Sequence, residues 1–280
     1  MILVTGATGQ LGTAVRALVP NALTPGRDTL DLADPAGLPA VIARLEPTAI
    51  INCAAYTAVD AAEDDEATAT SINGAAVAVL AAAAATRRIP FVTFSTDYVF
   101  DGTNASPYLE SSPTNPINAY GRSKLAGERA ALAAYPAALV IRTSWVYSGT
   151  HRNFVTAIVA RAATKPVNVV ADQTGCPTFA PDLAAAALQA MRLGGSGLLH
   201  LTNDGATTWF ELARASCAAA GIDPERVQPI RTEDYPTRAQ RPRYSVLGSE
   251  RHAAIGVEPL RSWRDTLAEA VGGPARNIAS

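Results

Sequence analysis

The first twelve residues constrain this chain more than any other stretch. Ile2-Leu3-Val4-Thr5 is a short apolar run, followed at once by Gly6-Ala7-Thr8-Gly9-Gln10-Leu11-Gly12 and an amphipathic helical segment, Thr13 to Leu18. A glycine-rich turn between a strand and a helix N-terminus lets main-chain N–H groups approach a pyrophosphate, helped by the helix dipole. The spacing is G-x-x-G-x-x-G rather than G-x-G-x-x-G, so the strand before and the helix after carry the inference. The other reading is a tight strand-to-helix turn with no ligand.

The rest of the first half keeps the same alternation. Ala49 to Asn52, Phe91 to Ser95 and Ala138 to Thr143 are near-continuous apolar runs, while Ala36 to Leu45, Glu63 to Arg88 and Tyr120 to Ala134 read as helices. Strands apolar on both faces belong in a parallel sheet covered on both sides. Beyond Ser144 the pattern loosens, with strands at Val167 to Ala171 and Val227 to Ile230. Helices are expected there at Phe154 to Ala163, Asp182 to Arg192 and Thr208 to Ala220. The expected α/β fold is therefore a Rossmann-type doubly wound parallel sheet with a smaller mixed α/β substrate-binding lobe. Residues 1–143 should supply the core, with returns near 165–181 and 224–245. Residues 144–164, 182–223 and 246–280 should supply the lobe.

Chemistry is suggested by Tyr120-Gly121-Arg122-Ser123-Lys124, since residues four apart share a helix face. Only two of the 23 basic residues are lysines, and only one of the eight tyrosines has a lysine four places on. A compact ammonium does what the arginine fork cannot. A cation about 5 Å from a phenol, at an effective dielectric near 20, favours the phenolate by roughly 3 kcal/mol, or about two pKa units. That would make Tyr120 a usable acid or base. Thr96 follows the apolar run at Phe91 to Ser95, where a hydroxyl can meet a substrate oxygen. The polar, proline-rich stretch Asp101 to Asn118 suits a rim.

For the cofactor, small residues at Cys53-Ala54-Ala55 after the third strand permit close passage of a ligand. The second strand, around Asn21 to Thr24, ends without the acidic residue that usually binds a ribose 2′-hydroxyl. Arg27 nearby suits a 2′-phosphate, which favours NADPH; Asp28 and Asp31 leave NADH open. Cys53, Cys176 and Cys217 offer neither a disulfide framework nor a zinc spacing, and His151, His200 and His252 are scattered, so no metal is expected. A net charge of −2 gives no general attraction to nucleic acid or an anionic membrane. With no apolar run near eighteen residues and no signal peptide, a cytoplasmic protein is expected.

With these features in order, the chain resembles the extended short-chain dehydrogenase/reductase superfamily. Several blocks are similar to the dTDP-4-dehydrorhamnose reductase family in particular: Gly9 to Gly12, Thr57 to Asp60, Ser95 to Phe100, Tyr120 to Glu128 and Arg142 to Tyr147. Asp172-Gln173, Gly175, Pro177-Thr178 and Arg241-Pro242 extend the similarity into the second half. The resemblance implies NAD(P)H-dependent reduction of the C4 ketone of dTDP-6-deoxy-L-lyxo-4-hexulose to dTDP-L-rhamnose. Tyr120 would protonate the alkoxide, Lys124 would lower its pKa and hold the nicotinamide ribose, and Thr96 would bind the substrate oxygen. Thr96, Asp97 and Trp145 would contact the sugar nucleotide, Trp145 with a flat apolar face, and Arg241 the diphosphate. Gly9, Gln10, Leu11, Asp31, Leu32, Ala55, Tyr56 and Thr57 fall where the family contacts its cofactor, alongside Gly6, Gly12, Arg27 and Ala54.

One departure concerns metal. Some family members bridge a dimer through Mg²⁺ held by a glutamate two residues after the third glycine; here Ala14 stands there, so a monomer or weak homodimer without metal is expected. Four alternatives stay in view. An epimerase would use the same triad with tightly retained NAD, and the block similarity argues against it. A dehydratase would need a second carboxylate where Tyr98 stands. A ketoreductase for another dTDP-deoxysugar shares all these motifs. A non-catalytic NADP-binding subunit, like the regulatory subunit of methionine adenosyltransferase, would leave the triad idle.

Overall fold

A computed structural model describes residues 1–272; the last part of the expected lobe segment 246–280 lies outside the described residues. Strand β1, Ile2–Thr5, leads through the glycine turn into helix α1, Gln10–Leu18. Helix α2, Leu38–Leu45, precedes strand β2, Ala49–Asn52. Helices α3, Glu66–Thr70, and α4, Ala76–Arg87, are joined by one π-helical turn, Ser71–Ala75. Strand β3, Phe91–Thr96, helix α5, Ala119–Ala134, and strand β4, Leu139–Thr143, complete the first half. The central sheet is parallel in the order β1-β2-β3-β4, with Gly197–His200 as a fifth strand beside β4.

Apolar alternation within these buried strands explains the two-sided core. Val4, Ile51, Phe94 and Ile141 face one cluster, sealed by α1 and the alanine-rich helix Ala180–Arg192. Leu3, Ile50, Phe91 and Val140 face another, covered by α2, α4 and α5. The two-layer wrapping expected from the sequence is therefore present.

Several boundaries differ from the sequence reading. The strand around Asn21 to Thr24 shrinks to a single bridge, Leu23 to Leu3, because Pro20 and Pro25 flank it and cannot donate to a ladder. Asp31-Leu32 is not extended; Leu32 turns into the core. Residues 182–192 and 197–200 belong to the central sheet and its cover, not to the lobe. Conversely, Val167–Val170 pairs in parallel with Val227–Ile230, and that pair packs under helices Phe154–Ala162 and Trp209–Ala219 as a separate small layer. The fifth strand was hidden by its length: four residues between glycines and a polar turn show no period.

The tract Glu66–Arg87 corrects another expectation, because by length and composition it could cross a membrane. Its face Ala76, Val77, Leu80, Ala81 and Ala84 is instead buried against the sheet.

Candidate active site

The three glycines of the first turn serve three different needs. Gly6 adopts φ +61°, and a Cβ on it would stand 2.6 Å from the Ala54 nitrogen, so it lets β1 and β2 end side by side. A Cβ on Gly12 would stand 2.1 Å from the Gly6 carbonyl oxygen, so its bareness closes the turn. Gly9, the N-cap of α1, is the open one, with only that same oxygen 3.4 Å from a Cβ. Gly12→Ala is expected to destabilise the fold by about 1–3 kcal/mol, because backbone must move. NADPH affinity should drop at least tenfold (roughly, for a turn displaced from its ligand), read by fluorescence titration and a thermal melt.

Beyond the turn, α1 makes its first main-chain bond from Thr13 N to Gly9 O. The N–H groups of Gln10, Leu11 and Gly12 thus point out of the helix end without an intrahelical acceptor. These donors are where a pyrophosphate is expected. The Gln10 side chain does something else: it donates to the Val146 carbonyl and accepts from Ser148 and Asn153. Gln10 therefore ties the glycine turn to the segment after β4, and its side chain is not free for a cofactor.

A cleft of about 460 Å³ opens beside the turn. Gly6, Arg27, Asp31, Leu32, Ala54, Ala55, Tyr56 and Thr57 all line it, as the sequence suggested; Gly9, Gln10, Leu11 and Gly12 do not. Arg16, in the last turn of α1, also lines the cleft, so two guanidinium groups face it; nothing in the linear pattern distinguished Arg16 from any exposed helix residue. Asp31 is partly occupied, accepting from Ala33 N at 2.9 Å. The cradle of bare glycines, free N–H groups and two cations fits a dinucleotide phosphate.

At the sheet's carboxyl edge α5 starts under tight control. Asn118 caps it, accepting from Gly121 N at 2.8 Å, and Glu63 accepts from Ala119 N at 2.7 Å. Tyr120 and Lys124 then point the same way, and Lys124 Nζ donates to the Phe94 carbonyl at 2.6 Å. The Thr96 hydroxyl lies beside the Tyr120 phenol, accepts from Tyr98 N and donates to Asp97. Thr96, Tyr120 and Lys124 are thus brought together, although they come from two elements.

The electrostatics correct the sequence estimate for Tyr120. Burial, reinforced by Asp97, pushes its phenol up to about 12, and the Thr96 hydroxyl only partly offsets this. Burial pulls Lys124 down to about 8, against the support of Glu128. Burial dominates because a buried phenolate loses its hydration, and the Lys124 ammonium is held on the Phe94 carbonyl. Tyr120 therefore remains a neutral phenol near pH 7, which is the form a proton donor requires.

Asn73 was invisible in sequence. Sitting in the π turn, it accepts from Tyr56 N, donates to Tyr56 O and donates to Ser123 Oγ, whose own hydroxyl donates to the Tyr120 carbonyl. It links the cofactor cleft to the tyrosine helix. Its only sequence signal was a polar residue inside an alanine-rich tract.

The expected substrate contacts are arranged differently from one another. Asp97 is buried, held by Ser245 Oγ at 2.6 Å, and burial pushes its carboxyl up to about 7. Trp145 has φ +47°, a strained conformation for a bulky residue. One face of its indole is stacked on Trp209, 3.6 Å away at 8°, and its edge fills the space of the missing Gly175 side chain. Trp145 therefore offers at most its other face. Arg241 is paired with Asp60 at 2.8 Å and also donates to the Ala239 carbonyl. Its charge is balanced within the protein, which the sequence did not reveal. Among the described residues no three His, Cys, Asp or Glu side chains are grouped to hold a metal, and Ala14 packs into the apolar cluster.

A parallel doubly wound sheet, a glycine turn at its first strand and a Thr–Tyr–Lys constellation at its carboxyl edge define the extended short-chain dehydrogenase/reductase class. The chain belongs to the family described as RmlD substrate binding domain, which it matches over residues 1–273. It is 45% identical over 275 residues to a Streptomyces antibioticus protein named probable dTDP-4,6-dihydroxy-2-methyloxan-3-one 4-ketoreductase, covering 96% of this chain and 93% of that one. It is 43% identical over 293 residues to the dTDP-4-dehydrorhamnose reductase of Mycobacterium tuberculosis, covering 99% and 94%. Among solved structures, a dTDP-4-dehydrorhamnose reductase from Clostridium acetobutylicum superposes with a TM-score of 0.93 at 35% identity, covering 97% and 98%. Another from Bacillus anthracis, in complex with NADP, gives 0.91 at 32%, covering 95% and 96%.

Proposed function

We propose that this protein reduces the C4 ketone of a dTDP-linked 4-keto-6-deoxy sugar with NADPH, taking dTDP-6-deoxy-L-lyxo-4-hexulose to dTDP-L-rhamnose. The observation that carries the reading is the Tyr120 phenol placed beside the Thr96 hydroxyl, with one turn of helix between it and Lys124. NADPH would be held by Arg16 and Arg27 in the cleft, with Lys124 at its nicotinamide ribose, and would supply the hydride. Thr96, turning its hydroxyl proton away from Asp97, donates a hydrogen bond to the substrate oxygen as negative charge builds there. Tyr120 gives its proton to that oxygen, and the Lys124 ammonium stabilises the phenolate left behind. Asp97 and the open face of Trp145 hold the sugar, and Arg241, steadied by Asp60, reaches the diphosphate. Tyr98 stands where a dehydratase would need a second carboxylate, which favours reduction over loss of water.

Arg27→Ala is expected to raise the KM for NADPH at least about tenfold while leaving that for NADH within a factor of two or so, since only the former carries the 2′-phosphate. Equal losses with both cofactors would remove Arg27 from that role. We read the enzyme as cytoplasmic, working as a monomer or weak homodimer without metal, nucleic acid or membrane. Its net charge of −2 and the apolar Ala14 position support this.

A second reading is favoured by the 45% identity to the Streptomyces ketoreductase: another dTDP-deoxysugar as substrate. Offering both 4-keto sugar nucleotides and determining the product's C4 configuration by NMR separates the two. Preferential turnover to the rhamno product supports the first reading. Turnover of the other ketone alone supports the second.

A further inference from the structure

One carboxylate below the catalytic pair joins three elements of the site. Glu128 lies one turn beyond Lys124 and two turns beyond Tyr120 on α5. Its Oε1 accepts from Ser95 Oγ at 2.5 Å and from Arg142 Nε at 2.9 Å, and its Oε2 accepts from Arg142 Nη2 at 2.7 Å. Ser95 is the residue before Thr96 on β3, and Arg142 is its register partner on β4. Both side chains of the ion pair are 3% exposed. The remaining arginine fork is also satisfied. His200 Nδ1 lies 2.8 Å from the Gly248 carbonyl and must donate to it, so Nε2 carries the lone pair and accepts from Arg142 Nη1 at 3.4 Å. Glu110 accepts from His200 N and from Ser249, tying the rim segment 101–118 and residues 248–249 to the same network.

We propose that Glu128 and Arg142 are positioning residues for the reduction: their buried bidentate pair locks the helix bearing Tyr120 and Lys124 against the strand bearing Thr96. A buried ion pair is a weak device for stability, since desolvation opposes it, but its fixed geometry specifies where two elements meet. Here the specified quantity is the placement of the Tyr120 phenol relative to the Thr96 hydroxyl. Glu128 is also the charged side chain acting on Lys124, while Asp97 acts on Tyr120 and the Arg142 charge is spent on Glu128. The lock rests on the reductase reading for its consequence in catalysis.

The test is Glu128→Gln, which keeps shape and removes charge. Its kcat is expected to fall about 10²-fold, the effect of a misplacement near 1 Å. NADPH affinity and the KM for the sugar nucleotide should stay within about threefold, as uniform binding is untouched. An independent readout exists because Lys124 and Lys165 are the only lysines. In protein labelled at lysine Cε, the Lys124 NMR signal of the variant should titrate about one pH unit below its wild-type position, with exposed Lys165 unmoved. If Glu128→Gln does not fold, Glu128→Leu/Arg142→Leu, which removes both charges together, is expected to fold and to show the same loss of kcat. Wild-type kcat in either folded variant, or an unmoved Lys124 titration in Glu128→Gln, would overturn the lock. A wild-type protein that turns over no 4-keto sugar would instead remove the reductase reading, and the lysine titration would still decide the lock.

Discussion

Tyr120→Phe is expected to lower kcat by about 10²–10⁴-fold, the usual worth of a positioned proton donor, while NADPH binding is unchanged. The ring keeps its edge-on packing against Tyr98, 6.0 Å between centroids, so the variant loses the proton and little else. The phenol's pKa near 12 sharpens the expectation. A group that is neutral throughout the working range acts as a donor, so the variant's deficit should be the same from pH 6 to 8, roughly, rather than growing with pH. Steady-state kinetics with cofactor fluorescence titration measure both quantities. A Tyr120→Phe enzyme with full kcat would transfer the proton step to another group, for which Asp97, pushed up to about 7, is the candidate.

Gly121→Ala should be nearly as damaging, for a steric reason. A Cβ on Gly121 would stand 2.1 Å from the Tyr98 carbonyl oxygen and 3.0 Å from the Pro116 side chain. The carbonyl belongs to the turn just after Thr96, so it cannot swing aside without moving the hydroxyl. Relief must come from lifting the start of α5, and Tyr120 is its second residue. A displacement near 1 Å between Tyr120 and Thr96 would cost about 10²-fold in kcat. Overpacking should also cost about 1–3 kcal/mol of stability. By contrast Arg129→Ala, exposed on the same helix, should leave kcat within about a few-fold, as surface changes away from the clash usually do. Kinetics and melts of the two variants side by side check this.

Much of the framework was legible because its signals are local. The glycine turn, the apolar runs of β1 to β4 and the Tyr120–Lys124 spacing are each read within a dozen residues, and the structure brings Thr96 beside them. What stayed hidden depends on distance or dielectric. Asp60 and Arg241 pair across 181 residues, and Trp209 covers a face of Trp145 from another helix. Asn73 acts only because a π turn swings it between Tyr56 and Ser123. The Tyr120 shift was given the wrong sign because Coulomb attraction was weighed without the larger penalty of burying a phenolate. The lobe boundaries were misplaced because short strands such as Gly197–His200 carry no periodicity.

Reduction of a ketone at C4 of a dTDP sugar leaves the cofactor's hydride on that carbon, where an isotope label reports it. Purified protein is mixed with the dTDP-linked 4-keto-6-deoxy sugar and NADPH carrying deuterium at the reactive nicotinamide position, and the product is examined by mass spectrometry and NMR. The expected result is stoichiometric oxidation of the cofactor with a single deuterium at C4 of a 4-hydroxy sugar. A protein that binds NADPH but forms no C4-deuterated sugar would contradict it.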